Sequence, residues 1–282
     1  MTYVAESYWQ KRYLHFDLNS SGHADLPLVY NHWLYRMKSK KILAAVKRFG
    51  VNAVKAKVLE LGCGTGVYVD LWRSQGVKAL KGFDIAQVAA DHLTKKFPEY
   101  QFYQEDLGHT DLVSRHAPGS HSLVTAFNVL YHIISDTDFQ QALYNANHLA
   151  APGALFFITD LFVHGPEETH EYMKYRSLDK YVQALHTAGF EVLERKPVYV
   201  TMVKAVDTGT GLGRLFNPWW SFISPYIRSR PSVLGPCLFF LDVFFTNLVS
   251  DGPSLELLVC RKTREVDLPS EPPLGTAIEV EP

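Results

Sequence analysis

The feature that most constrains this sequence is a glycine turn that follows a short apolar run. The run Val58–Leu61 is apolar at every position but one, which is typical of a buried parallel strand. Glycines follow at every second position, Gly62, Gly64 and Gly66, and glycine permits positive φ and leaves no Cβ. The apolar spacing from Val67 to Ser74 is helical. A strand, a glycine turn and a helix N-terminus together predict a binding site of about the size of a nucleotide.

The spacing of the glycines separates two classes of such turns. The dinucleotide fingerprint requires its third glycine at position 67, where this chain has Val67, while the third glycine comes one residue earlier, at Gly66. The pattern resembles instead the acidic-x-Gly-x-Gly-x-Gly motif of class I S-adenosylmethionine-dependent methyltransferases. A nicotinamide-dependent oxidoreductase is an alternative that Val67 disfavours.

Three further motifs follow in the order of the same family. Asp84 ends the next apolar run, about 20 residues after the turn, where an acid accepts hydrogen bonds from ribose hydroxyls. The segment 103–107 resembles the third-strand motif of these methyltransferases, and 124–133 resembles their fourth strand and its loop. The resemblance covers 57–200 well and the last strand acceptably.

The resemblance implies S-adenosylmethionine as the cofactor and assigns positions that contact it. The glycines would admit the amino-acid end of the cofactor, and Glu60 would orient that end through backbone or water. Cys63 lies inside the turn, where the backbone requires only a small residue. The other positions that the resemblance implies are Asp84 on the ribose, Ile85 against the adenine, Asp106 on the adenine edge beside Leu107, and Asn128 in the loop after the fourth strand.

Candidate catalytic residues follow the fourth strand, at the sheet edge where doubly wound folds bind ligands. A neutral imidazole at His132 could accept a hydroxyl proton there, although a histidine in this loop is also common in the resembling family without a catalytic role. Tyr131 would face the substrate. The sequence has no HExxH motif, paired cysteines or carboxylate–histidine cluster, so we predict no metal.

The N-terminal segment, residues 1–50, is predicted to form an aromatic and helical lid. Its tyrosines and tryptophan, with Tyr13 among them, resemble the segment that folds over the cofactor in similar methyltransferases. A helix is predicted over about 30–49, with Leu34 and Met37 on its apolar face and Arg36 and Lys38 among the basic residues of its other faces. Arg36 would reach the methionine carboxylate.

Strands and helices alternate from 57 to 190, which predicts a parallel sheet with right-handed crossovers. The predicted fold is a Rossmann-like, doubly wound α/β domain over 51–262, whose seven-stranded and mostly parallel sheet ends in an antiparallel strand. Strands are predicted at 57–61, 79–83, 101–104, 122–127, 154–159, about 190–202 and 254–260, and further helices at about 67–75, 86–96, 138–149 and 178–188.

Between the last two strands lies an insertion, 203–253, that is rich in Phe, Trp and Pro. Its run from Val233 to Val249 is too short and too interrupted for a membrane span, which takes about 20 apolar residues. We weigh three roles: an internal helix over the sheet that walls the substrate pocket, a homodimer contact, and peripheral attachment to a membrane surface.

Composition narrows the function further. The chain of 282 residues has a net charge of −1, which gives no basic footprint for nucleic acid. The N-terminus has no apolar signal core, so we expect a cytoplasmic protein, and we expect 263–282 to be a disordered tail. The predicted activity is methyl transfer to a small, apolar or aromatic molecule, with oxygen favoured over nitrogen or carbon as acceptor. A non-catalytic partner protein that binds S-adenosylmethionine is the remaining alternative.

Overall fold

The structure is a computed structural model that describes residues 3–266. Most of the predicted disordered tail therefore lies outside the described residues. The helices within that range are α1 (Ala5–Arg12), α2 (Leu28–Arg48), α3 (Val67–Ser74), α4 (Gln87–Lys96), α5 (Leu112–Arg115), α6 (Asp136–Leu149), α7 (Leu178–Thr187), α8 (Gly211–Ser229) and α9 (Pro231–Leu248), with a 3-10 turn at Leu130–His132. The strands are β1 (Lys57–Leu61), β2 (Ala79–Asp84), β3 (Gln101–Gln104), β4 (His121–Phe127), β5 (Ala150–Val163), β6 (Glu168–Thr169), β7 (Lys174–Ser177), β8 (Phe190–Pro197) and β9 (Leu255–Lys262).

The sheet confirms the predicted topology. Strands β3, β2, β1, β4 and β5 are parallel neighbours in that order. Strand β9 runs antiparallel beside β5, and β8 pairs with β9 at the edge. Sequential strands with helical crossovers place the carboxyl ends of β1, β2 and β4 along one edge, with a change of strand order beside β1.

Within the described range the sheet has nine strands where seven were predicted, because β5 is longer than expected and two short strands follow it. Strand β5 continues to Val163, beyond the predicted end at 159, and Phe162 and Val163 pair with Arg176 and Ser177 of β7. Strands β6 and β7 then form a short antiparallel hairpin beyond the end of β5. This hairpin extends the sheet at the end of β5, and the weak patterning of 168–177 did not predict it.

Helices cover both faces of the sheet, and strand β1 shows how the sequence divides them. Val58 faces the cluster built with α2, α3 and the insertion. Leu59 and Leu61 face the cluster built with α6 and α7. Because side chains alternate along a strand, Glu60 points to the same face as Val58, where it meets Trp72 of α3.

The insertion forms two helices, α8 and α9, and packs mainly on α2. The backbone of α9 lies close to α2 at Gly235, where an added Cβ would overlap Trp33. No residue of 203–253 lines the cavity described below, so of the three roles weighed for the insertion this cavity does not support that of a pocket wall. Helix α9 is the one helix of the described residues that is long and apolar enough to cross a membrane, which is weak support for a span.

A buried carboxylate fixes α9 to the rest of the fold. Asp242 is fully buried and accepts hydrogen bonds from the backbone N–H groups of Val200, Thr201 and Met202 at 3.0, 2.7 and 3.3 Å. The Thr201 hydroxyl donates a further bond at 2.7 Å. Polar groups buried at such depth are costly unless paired, so this cluster fixes one face of α9 toward the protein.

We expect Asp242→Ala to lower the free energy of unfolding by about 3 kcal/mol or more, because it leaves three buried N–H groups without an acceptor. Urea denaturation followed by circular dichroism measures the change. Asn247→Ala is the matched control, since Asn247 lies on the exposed side of the same helix. A loss below about 1 kcal/mol for Asp242→Ala would show that α9 is held by apolar packing alone.

Candidate active site

The glycine turn lies at the carboxyl edge of the sheet, between β1 and α3. Gly62, Gly64 and Gly66 have φ of 70°, 50° and 80°, a region that glycine adopts without strain. A Cβ at Gly62 would overlap the Val129 side chain, and one at Gly66 would overlap Leu93 of α4. Gly62 and Gly64 line the cavity described below, whereas Gly66 serves the packing of α3 on α4 and does not line it.

Asp84 ends β2 directly beside the turn. Its Oδ2 accepts a hydrogen bond from the Gly64 N–H at 2.8 Å, and its Oδ1 accepts one from the Ala86 N–H at 2.9 Å. Burial raises the pKa of this carboxyl to about 6, while the two backbone donors oppose that shift. Each carboxylate oxygen keeps a second lone pair, so Asp84 can still accept bonds from a ligand in the cavity. Ile85 follows on the cavity wall.

The loop after β3 brings three further residues to the same cavity. Asp106 is exposed and accepts a bond from the Gly108 N–H at 2.9 Å, and Leu107 is buried beside it. Glu105 also lines the cavity, although it was not among the residues predicted from the sequence. Its carboxylate is buried and paired with His116 at 2.8 Å and with Arg115, so Glu105 holds the loop in place.

Asn128 is the centre of a hydrogen-bond network after β4. Its φ is 61°, an uncommon conformation that asparagine tolerates better than most side chains. Its Oδ1 accepts bonds from Thr159 Oγ1 at 3.1 Å and Lys38 Nζ at 3.3 Å, and its Nδ2 donates to Tyr131 Oη at 3.3 Å. Asn128 lines the cavity, whereas Tyr131, which was predicted to face the substrate, does not line it and is bonded to Asn128.

Lys38, and not Arg36, is the basic residue of α2 that lines the cavity. The prediction for Arg36 therefore does not agree with the structure. Arg36 is exposed and lies over the rings of Trp33 and Phe239, at 5.0 and 5.4 Å. Lys38 is 6% exposed, and its Nζ lies 3.9 Å from the centroid of the Tyr35 ring. Two residues along a helix point to nearly opposite sides, which explains the difference.

A signal for Lys38 was present in the sequence. It stands four residues after Leu34 and four before Ile42, in register with side chains that are fully buried. No carboxylate pairs with Lys38 among the described residues, and burial lowers its pKa to about 7. A cation at a core position without an acidic partner suggests an anionic ligand.

His132 lines the cavity as a neutral imidazole. Its Nδ1 lies 2.8 Å from the Tyr172 carbonyl oxygen, and since a carbonyl only accepts, Nδ1 carries the hydrogen. The other ring nitrogen, Nε2, therefore has a free lone pair. Burial lowers the pKa of His132 to about 4, so the ring is uncharged near neutral pH.

The N-terminal segment closes over the sheet edge. The Trp9 ring lies 5.3 Å from that of Tyr13 and 4.8 Å from that of His132. Gln10 Oε1 accepts a hydrogen bond from the Val88 N–H at 3.2 Å, which ties α1 to α4. Tyr13 is 5% exposed and lines the cavity, so α1 forms a roof over it.

Two residues of the motif lie below the turn. Glu60 does not line the cavity; its Oε2 accepts bonds from Trp72 Nε1 at 2.9 Å and Thr125 Oγ1, and burial raises its pKa to about 7. Its side chain thus joins β1, β4 and α3. Cys63 reaches the cavity wall, where its thiol donates to the Phe83 carbonyl at 3.3 Å, and burial raises the pKa of the thiol.

The lining residues border one cavity that is open to solvent, and its empty space, the open part included, is about 860 Å³. Its walls are rich in aromatic rings, among them Tyr3, Trp9, Tyr35, Tyr68 and Phe127. The hydroxyls of Tyr3 and Tyr68 are buried and have no hydrogen-bond partner among the described residues. Buried hydroxyls are normally paired, so a bound molecule with polar groups would complete this site.

The sequence matches a known protein family. A sequence profile of the methyltransferase domain family matches residues 30–195, more than half of the chain. The chain belongs to this methyltransferase family. The methyltransferase gives no match to curated protein sequences.

Solved structures share the fold of the methyltransferase. A protein assigned as a sarcosine dimethylglycine methyltransferase, from Galdieria sulphuraria, is 15% identical, with 81% of this chain and 85% of that chain covered and a TM-score of 0.52. Phosphoethanolamine N-methyltransferase 2 from Haemonchus contortus is 16% identical, with 80% of this chain and 53% of that chain covered and a TM-score of 0.52. That structure contains S-adenosylhomocysteine and phosphomonomethylethanolamine. Identities this low show a common fold only, and they carry no information about the substrate.

The cofactor of the methyltransferase is S-adenosylmethionine, and the cavity fits its chemistry. Asp84 offers free carboxylate lone pairs for hydroxyl donors, and Lys38 offers an unpaired cation for a carboxylate. The positive φ of Gly62 and Gly64 leaves the backbone of the turn open to the ligand. The individual roles of the predicted residues stay predictions, since similarity of the fold does not test them.

Proposed function

We propose that the methyltransferase transfers the methyl group to a hydroxyl of a small, predominantly apolar molecule, and that His132 accepts the hydroxyl proton. The observation that supports this proposal is the hydrogen bond from His132 Nδ1 to the Tyr172 carbonyl, at 2.8 Å. It fixes the tautomer with a free Nε2 lone pair on a cavity wall, which is what a general base requires.

The aromatic insertion does not supply apolar surroundings for the acceptor, because no residue of 203–253 lines the cavity. The residues near His132 support an apolar acceptor instead. The Trp9 ring lies against His132, and Val129 and Ile133 of the same loop also line the cavity, whereas the carboxylates of the cavity belong to residues at or after the ends of β2 and β3. An acceptor beside His132 would therefore meet apolar surface on most sides.

The cofactor supplies a methyl group already activated by its sulfonium, so the protein needs to bind, orient and remove one proton. We infer that Asp84 holds the ribose hydroxyls and that Lys38, in place of Arg36, holds the methionine carboxylate. Asn128 positions the Lys38 ammonium through its Oδ1. The aromatic roof formed by Trp9 and Tyr13 excludes water from the acceptor.

A matched acceptor screen with radiolabelled S-adenosylmethionine tests the acceptor class. Phenols and alcohols, the corresponding amines, sugars and short RNAs are compared at equal concentration. We expect methylation of apolar hydroxyl compounds. Methylation of only sugars or RNA would contradict an apolar acceptor, and methylation of only the amines would contradict oxygen as the acceptor atom.

Replacing His132 tests the base. We expect His132→Gln to lower kcat about 100-fold, because glutamine can keep the bond to Tyr172 but accepts protons poorly. Its dissociation constant for S-adenosylhomocysteine should change by no more than about threefold, since we assign the cofactor to other residues. His186→Gln is the control, because His186 is exposed on α7. An unchanged kcat in His132→Gln would remove the histidine from the mechanism.

The pH profile gives a second measurement on the same residue. The pKa of His132 is lowered to about 4, so the neutral form that accepts a proton dominates above that value. Activity should therefore lose its His132-dependent part as the pH falls toward 4 and should be insensitive to this group above about pH 5.

A further inference from the structure

The outer face of α9 is apolar and exposed. Val233, Phe240, Phe244 and Leu248 are 57%, 68%, 60% and 65% exposed. At 100° per residue these four positions fall on one face of the helix, opposite the buried Asp242. Helix α9 is therefore apolar on the face that contacts the protein and again on the face that leaves it.

Helix α8 continues this surface. Leu215, Phe222 and Tyr226 are 66%, 64% and 52% exposed and share one face at positions i, i+7 and i+11. The two helices contact each other, with the rings of Phe216 and Phe245 6.4 Å apart. We call the exposed large side chains of α8 and α9 together the hairpin face. Such a concentration of exposed apolar side chains marks an interaction surface.

The exposed charged side chains of α2, α8 and α9 are all basic, and one of them, Arg48, is paired with Glu194 of β8. Helices α2, α8 and α9 contain a single acidic residue, Asp242, which is buried and bonded to backbone amides. Apart from Lys38, the basic side chains of these helices lie outside the buried core, and so does Arg230, which links α8 to α9. The basic residues of the helices are Arg36, Lys40, Lys41, Lys47, Arg48, Arg214 and Arg228. The chain as a whole has 28 basic and 29 acidic residues, so positive charge is concentrated on this side.

Arg36 places one of these cations beside α9, against the buried Phe239 and not against the hairpin face itself. Its guanidinium lies 5.4 Å from the ring centroid of Phe239, at the contact between α2 and α9. An apolar face edged by arginine and lysine matches a lipid bilayer, where rings enter the boundary with the acyl chains and cations contact anionic headgroups.

We propose that the hairpin face docks the methyltransferase on the surface of a bilayer that contains anionic lipids. Two other arrangements, a symmetric dimer through this face and a transmembrane α9, are less favourable. In a symmetric dimer the same patch faces itself, so its basic residues would meet their own copies. A transmembrane α9 would carry Asp242 out of its cluster of backbone donors and into hydrocarbon. Surface docking leaves that cluster intact.

Vesicle flotation with the full chain tests the proposal. We compare vesicles of pure phosphatidylcholine with vesicles that contain about 30% phosphatidylserine, at low salt and at about 0.5 M salt. We expect binding to the anionic vesicles, weaker binding at high salt, and little binding to the neutral ones. The double variant Phe240→Ser/Phe244→Ser should lower the bound fraction at least about 10-fold.

Matched variants separate the apolar and the ionic parts. Val54→Ser and Val182→Ser are the controls, because both valines are exposed elsewhere on the molecule, at 52% and 37%. They should bind vesicles like the unmodified protein. The triple change of Lys40, Arg214 and Arg228 to Gln should weaken binding to the anionic vesicles and reduce its salt dependence.

Three results would overturn the proposal. The first is no binding to either vesicle, and the second is binding that Phe240→Ser/Phe244→Ser leaves unchanged. The third is a dimer, seen by light scattering, that the same double variant dissociates. The affinity for S-adenosylhomocysteine should be equal in all these variants, so the test does not depend on the proposed acceptor.

Discussion

Asp84→Ala is expected to raise the dissociation constant for S-adenosylhomocysteine at least about 100-fold. The change removes a charged acceptor for two ribose hydroxyls, and each hydrogen bond to a charged group contributes about 1.5–3 kcal/mol. It also removes the acceptor of the Gly64 and Ala86 N–H groups, so the turn loses the bonds that hold it to β2. The loss is therefore larger than that of the ribose contacts alone.

Calorimetric titration with S-adenosylhomocysteine measures this loss. Asp91→Ala is the matched control, since Asp91 is an exposed carboxylate on the helix that follows Asp84. Asp84→Asn should fail almost as badly, because its amide group would direct an N–H at one of the two backbone donors. A thermal melt of each variant separates lost binding from lost folding. Affinity within about threefold of the original in Asp84→Ala would refute the assigned site.

In the unmodified protein, the affinity for S-adenosylhomocysteine should depend on the ionisation of Asp84. The pKa of Asp84 is raised to about 6 by burial, and hydroxyl donors favour its ionised form. The affinity for S-adenosylhomocysteine should therefore fall as the pH falls through about 6. The same titration in Asp84→Ala should lack this decline.

Lys38→Met is expected to weaken cofactor binding and at the same time to stabilise the protein. Lys38 is buried without an acidic partner, and its lost hydration lowers its pKa from 10.5 to about 7. Each unit of such a shift corresponds to about 1.4 kcal/mol, and part of the gain is offset by the lost contact with the Tyr35 ring. We expect a net gain of about 2 kcal/mol in the free energy of unfolding at pH 7.

The sign of the pH dependence follows from the lowered pKa. Lys38 is charged in both states below about pH 7, so the full cost of burying the cation is present there. Between that value and the unfolded pKa the folded protein releases the proton first, and the cost declines. The stability advantage of Lys38→Met should accordingly shrink as the pH rises from 7 toward 10, as urea denaturation at several pH values would show.

Ligand comparison identifies what Lys38 holds. Methylthioadenosine lacks the amino-acid moiety of S-adenosylhomocysteine, so its affinity should be the same in Lys38→Met and in the unmodified protein. The affinity for S-adenosylhomocysteine should fall at least about 10-fold, the value of one charged hydrogen bond. Arg36→Met, the control, should change neither. If Arg36→Met weakens S-adenosylhomocysteine and Lys38→Met does not, the original assignment from the sequence is correct.

The parts of the fold that the sequence predicted are those with a local signal. The glycine turn and its apolar strand predicted β1, the turn and α3, because positive φ and close backbone approach restrict such positions to glycine. The spacing to Asp84 and Asp106 identified the methyltransferase family, which the profile match confirms. The mostly parallel sheet with an antiparallel last strand followed, since sequential βα units leave few topologies.

Side-chain direction was less accessible to sequence reasoning. Arg36 and Lys38 are two basic residues on one helix, and their chemistry does not tell which one faces the cavity. The packing of α2 between the sheet and α9 made that choice, by burying the face that contains Leu34, Lys38 and Ile42. Glu60 was likewise turned away from the cavity by the alternation of β1, toward Trp72.

The sequence by itself determined the family, the mostly parallel sheet and the position of the glycine turn, because each has a local signal in the chain. The tertiary structure alone decided which residues meet in the cavity and which surface the insertion exposes. Nothing in the composition of 203–253 distinguishes a helix inside the fold from one that faces outward. Asp242 decides it, because its backbone donors lie far away in the chain, at 200–202, and fix which side of α9 turns inward.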